Sequence, residues 1–116
     1  MFRAALVRLT STGAIDTSFG LVTSAASDKA RGIALQGDGK VVAAGSGNSD
    51  FALMRFTSAG APDNSFGTNG VLAVDFFSAG DIANDVLVQP DGKLVVAGSA
   101  RNGLSGNGLG MVRVAP

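Results

Sequence analysis

Histidine, cysteine, glutamate, tryptophan and tyrosine are all missing from these 116 residues, and each absence closes a route to function. Without cysteine there is no disulfide framework, zinc-thiolate site or thiol nucleophile, and nothing to indicate a redox compartment. Without histidine the commonest general base, the Ser-His-Asp triad and imidazole metal ligands are gone. Without tryptophan and tyrosine, any platform for stacking sugars or bases must come from the seven phenylalanines. Charge is scarce as well, at 16% of residues, and nine Lys and Arg balance nine acidic residues, all of them aspartate. A net charge of zero offers no attraction to nucleic acid or an anionic membrane. No apolar run approaches the roughly 20 residues of a membrane-spanning helix, and "MFRAALVRLT", with Arg3 and Arg8, does not read as a secretory signal. Neither a nucleic-acid partner nor membrane insertion is expected, and no cofactor is.

What remains is apolar and rich in turn formers: 46% hydrophobic residues and 17 glycines, with Ser, Asp and Asn between them. The helix former Glu is absent while the residues that break chains into turns abound. The composition points to an all-β chain.

Internal repetition then organises it. "ALVRLTSTGAIDTSFG" (5–20) lies over "ALMRFTSAGAPDNSFG" (52–67) without a gap, and "GIALQGDGKVVAAGS" (32–46) lies over "DVLVQPDGKLVVAGS" (85–99). A third start, "GMVRVAP" (110–116), repeats the pattern around Arg113. The unit is about 50 residues long and mostly alternates apolar and polar residues, the period of a strand. In each unit two short apolar runs are joined by Asp-Gly, at Asp38-Gly39 and Asp91-Gly92. That dipeptide predicts a hairpin with a two-residue type I′ turn. Four short antiparallel strands in a repeated unit of this length are the signature of a β-propeller blade.

The combination "VQPDGKLVVAGS", "FALMRFTSAG" and "PDNSFGTNG" resembles the delta-60 repeat, a β-propeller repeat of bacterial, often secreted or surface-associated, multidomain proteins. The resemblance covers nearly the whole chain. It implies propeller blades and an extracellular or cell-surface setting, and it assigns no catalytic residues. By analogy with such repeats the chain is a single propeller segment. It opens in a partial blade (about 2–25), runs through a full one (about 30–77) and ends in another partial blade (about 83–114). Two blades cannot close a ring of roughly four to eight, and an isolated pair would leave apolar faces in water. Completion is expected either from a homo-oligomer, three copies giving six blades or four giving eight, or from the remaining blades of a longer protein.

The candidate site residues are weighed against this frame. Asp16 in "DTSFG" and Asp63 in "DNSFG" could serve as cation ligands or acids, but an Asp two residues before Ser commonly accepts the backbone N–H of its turn. On that reading Phe19 and Phe66 fill apolar space between blades, and Gly20 and Gly67 release the next strand. Asp38, Gly39, Asp91 and Gly92 are read as hairpin residues, and no loop carries the six to eight oxygens calcium takes. Arg8, Arg55 and Arg113 recur at one strand position. A ring of them would hold an anion; the favoured alternative pairs each with a turn Asp or packs its stem along the blade. The loop "GSARNGLSGNGLG" (98–110) is longer than its counterpart "GSGNSD" (45–50), so Asn102 and Asn107 are candidates for contact with a glycan or protein partner. Its glycines lack the phosphate-loop ending.

Three functional classes are therefore in play. A noncatalytic propeller module for binding or self-assembly leads. A carbohydrate- or small-ligand-binding propeller is second, disfavoured by the missing Trp and Tyr. An enzyme using Asp as acid or base, as in glycoside hydrolysis, is third, because the repeated carboxylates fall at turns of different blades.

Overall fold

The computed structural model describes residues 3–24, 29–48, 50–76, 80–101 and 107–116. Nine strands run through them: β1 (Ala4–Val7), β2 (Leu21–Ser24), β3 (Lys29–Leu35), β4 (Val41–Gly47), β5 (Asp50–Phe56), β6 (Val71–Val74), β7 (Ile82–Val88), β8 (Leu94–Arg101) and β9 (Asn107–Val114). Every pairing is antiparallel, and among the described residues there is no helix. The strands form three sheets in simple meander order: β1-β2, then β3-β4-β5-β6, then β7-β8-β9. The central sheet is a complete four-stranded blade. The outer strands β2 and β6 are each four residues long.

The three sheets stack, so β4 and β5 of the central one are buried on both faces. Val42, Ala44, Phe51 and Leu53 point to one side and pack with Ala83, Val86, Leu94 and Val96 of the third sheet. Val41, Ala43, Met54 and Phe56 point to the other and pack with Ala4, Leu6 and Phe19 of the first. This explains why β4 and β5 read as near-continuous apolar runs, "VVAAG" and "FALM", rather than as clean alternation: with both pleat faces covered there is no solvent side to keep polar. Each unit also carries a bulge at one place in its first strand, between Ala30 and Gly32 and between Ala83 and Asp85. At the first of these the sheets approach closely. A Cβ on Gly32 would lie 2.7 Å from Asp85 Cα, so the residue that fits here is glycine.

The Asp-Gly hairpins correct the expected turn. Gly39 N donates to Gln36 O at 2.9 Å and Gln36 N to Lys40 O at 2.8 Å, with the same pattern at Gln89, Gly92 and Lys93. This is a three-residue loop, a type I turn followed by a left-handed residue, in place of a two-residue type I′ turn. Gly39 sits at φ 89° and Gly92 at φ 86°, whereas the only described non-glycine residues with positive φ are Asn48 and Asn69. The physical reason is the aspartate side chain. Asp38 Oδ1 accepts Lys40 N–H at 3.1 Å and Asp91 Oδ1 accepts Lys93 N–H at 3.0 Å. Each is thereby held in an Asx-turn, leaving the glycine alone to take the left-handed conformation.

Candidate functional site

Strand β5 carries Arg55 to the end of the blade, and the chain then folds back through a tight turn, with Thr57 N donating to Ala61 O at 2.7 Å. The return places Asp63 opposite Arg55, where Asp63 N donates to Arg55 O at 2.9 Å. Arg55 Nε donates to Asp63 Oδ2 at 2.8 Å, and both side chains are more than nine-tenths buried. The other carboxylate oxygen, Oδ1, accepts from Ser65 Oγ at 2.6 Å and Ser65 N at 3.1 Å. Lys40, from the neighbouring hairpin, reaches Asp63 Oδ2 at 3.1 Å. The Arg55 guanidinium lies 4.5 Å above the centre of the Phe66 ring, and Phe66 enters the core between the second and third sheets.

The first unit builds the same corner. Arg8 Nε donates to Asp16 Oδ2 at 2.9 Å, and Asp16 Oδ1 accepts from Ser18 Oγ at 2.6 Å and Ser18 N at 3.0 Å. Arg8 lies 4.8 Å above Phe19, which is buried against the second sheet. This corner is more exposed. Its arginine also crosses to the next blade, donating to Ser58 O at 2.9 Å.

The electrostatics follow from this geometry. Hydrogen bonds from Ser65, then from Lys40 and Arg55, hold the Asp63 carboxyl well below the usual carboxylate range even though burial opposes them. Asp16 is lowered in the same way, chiefly by Ser18 and then Arg8. Both are ionised acceptors held by hydroxyl, backbone and cationic donors. Neither is poised to give or take a proton near neutral pH, as a general acid or base would be.

The third recurring arginine stands in no such corner among the described residues. Arg113, on β9, is exposed and makes no ion pair there. The three arginines therefore do not converge on one anion: two are spent on aspartates in separate corners. The expectation that Asn107 lies in a loop is also revised, because it opens strand β9 opposite Arg101. The ladder continues past the point where the glycine-rich composition suggested it would end. Asn102 lies outside the described residues. Gly20 (φ 80°) and Gly67 (φ 55°) occupy the left-handed region as each chain leaves its corner.

One cluster escaped sequence reasoning. Asp50, Asp75 and Asp81 bring carboxylate oxygens within 4.8 Å of one another. Asp81 is fully buried and accepts Phe76 N–H at 2.9 Å. Burial, followed by repulsion from Asp75 and Asp81, raises the Asp50 carboxyl above its ordinary value. These are the described residues best placed to hold a cation, although three carboxylates fall short of a calcium shell. Nothing in their spacing signalled the cluster. Asp50 begins β5 and Asp75 follows its ladder partner β6, so only the pairing of those strands brings them together.

Three stacked antiparallel sheets, a full four-stranded blade between two partial ones, and a corner repeated from blade to blade define a β-propeller segment. The chain belongs to the family described as "Domain of unknown function (DUF5122) beta-propeller", which it matches over residues 2–19, 36–66 and 89–116. The matched stretches carry the Arg-Asp-Phe corners of the first two units and the Asp-Gly hairpins of the second and third. No curated protein matches the chain.

Proposed function

We propose that the chain is a noncatalytic β-propeller module, a scaffold that associates with further blades and presents the connections between its strands to a partner. The supporting observation is the fate of its recurring polar residues. Arg8 pairs with Asp16 and Arg55 with Asp63 at the corners, and Asp38 and Asp91 are consumed in their own turns. The chemistry that repeats is thus structural. The connection best placed to vary is that between β8 and β9, residues 102–106, against 48–49 in the preceding blade. The motifs that resemble delta-60 repeats favour a bacterial surface or secreted setting.

The test is a hydrolase screen on glycosides and esters, run beside an array of glycans and proteins with wild type and Asp16→Asn. No turnover is expected. Turnover abolished by Asp16→Asn would overturn the noncatalytic reading.

A further inference from the structure

The interface between the second and third sheets has a counterpart on the chain's surface that is open on both of its sides. Inside the chain, Ala34, Val42 and Ala44 cover Val86 and Val88. The repeat places Ile33 and Leu35 at the positions of Val86 and Val88. Yet Val86 is 2% exposed, whereas Ile33 and Leu35 are 63% and 67% exposed, because among the described residues the first sheet holds β1 and β2 and neither lies over them. Two adjoining pockets of about 330 and 360 Å³ occupy that place, between β1 and β3. The covering face is also present and partly bare. Leu87, Val95 and Ala97 stand in the third sheet where Ala34, Val42 and Ala44 stand in the second, and Leu87 is 64% exposed. Exposed Leu109 and Met111 extend this face along β9.

We infer that a second copy of the chain docks head to tail, the open face of its β7-β8-β9 sheet closing over Ile33 and Leu35 of the first. The inference rests on the reading of the chain as a scaffold segment and names its partner. The occupant is a second copy because the two bare faces are the two halves of an interface this chain already makes within itself. Strands β9 and β1 hold the same position in the repeat, so the joint blade takes one of them. β8 and β9 are eight residues each and β1 and β2 four, so β1 is the strand that yields. The incoming Arg113, exposed and without an ion pair among the described residues, then takes the place of Arg8 beside Asp16, Ser18 and Phe19. The contact joins unlike surfaces and so propagates until it closes. At two blades per copy, three or four copies close a propeller ring.

Sedimentation velocity and native mass spectrometry of the 116-residue chain test this. Wild type is expected to form one closed oligomer. Arg113→Ser removes one charge-assisted bond and should weaken association about tenfold. Arg8→Ser vacates the Asp16 corner and should strengthen association, the opposite sign. Ile33→Glu and Leu87→Glu, both at exposed positions, should each leave monomers, and mixing the two variants should restore a 1:1 pair through the one intact face on each. A wild-type monomer with full strand signal at its highest soluble concentration would overturn the docking. So would arginine variants that shift association in the same direction, or a mixture that fails to pair. A stable monomer would leave the noncatalytic reading standing, since that reading falls only to turnover.

Discussion

Arg55 and Asp63 meet at 2.8 Å with both side chains more than nine-tenths buried, while Arg8 and Asp16 make the same bond at 2.9 Å with a quarter to a third of each side chain exposed. The same sequence corner therefore operates in two solvent environments. Removing one member of a buried pair strands the other charge away from water, whereas at the exposed corner water replaces the lost partner. Asp63→Ala should accordingly lower Tm well beyond Asp16→Ala, by a margin that thermal denaturation followed by circular dichroism resolves. Equal losses, or the reverse order, would show that burial does not set the strength of the corner.

Both carboxyls are held below their ordinary value in the folded chain, so the sign of their pH dependence is fixed. The stability they contribute is fully present above the unfolded-state value of about 3.9. It is lost as the pH falls toward the lowered folded values, because the unfolded chain takes up protons that the folded chain refuses. Denaturant titrations should show stability flat in the contribution of these groups from pH 7 to about 5 and declining below about 4. Asp63→Asn should flatten that decline more than Asp16→Asn does. A decline unchanged in Asp63→Asn would assign the acid sensitivity elsewhere.

Phe66 is 4% exposed and closes the core between the second and third sheets. Truncating such a ring costs about 3–5 kcal/mol. Phe66→Ala should thus remove much of the stability of a chain this size, read as a shift in the midpoint of urea unfolding. A loss below about 1 kcal/mol would mean the two sheets are held together by something other than this plug.

The repeat was legible because blade geometry is local. The Asp-Gly hairpins, the alternating runs and the spacing of eight between Arg55 and Asp63 are written in consecutive residues, and the favoured alternative that pairs each recurring arginine with a turn aspartate holds for Arg8 and Arg55. What was not legible depends on how side chains and strands meet once the chain is folded. The turn type turned on whether Asp38 would spend its carboxylate on Lys40 N–H. Asp50 and Asp75 meet only once β5 and β6 pair, and Ile33 looks no different from Val86 until it is known which sheet lies over each.

Asp50 titrates in the opposite sense from Asp63. Burial and the charges of Asp75 and Asp81 raise its carboxyl in the folded chain, so at neutral pH the fold bears a charge it would shed. Stability from this group falls as pH rises from the unfolded value through the raised folded one. Asp50→Asn removes that charge and should raise Tm at pH 7, with the gain shrinking as the pH approaches 4 and the wild-type carboxyl takes up its proton. A lower Tm at pH 7 would show that the charge of Asp50 is stabilised in the folded chain.

Gly32 marks a close approach of the second and third sheets. Its φ lies outside the left-handed region, so an alanine there would meet no backbone strain; its obstacle is Asp85, whose Cα would stand 2.7 Å from the new Cβ. Backbone cannot yield as a side chain tip does, so the sheets must part. Overpacking of this kind costs about 1–3 kcal/mol. Gly37 offers the matching control, because a Cβ there meets nothing within 4 Å. Gly32→Ala should destabilise the chain in urea while Gly37→Ala stays within about 0.5 kcal/mol of wild type. If the two variants proved equally stable, the close approach of β3 to β7 would not be a feature of the folded chain in solution.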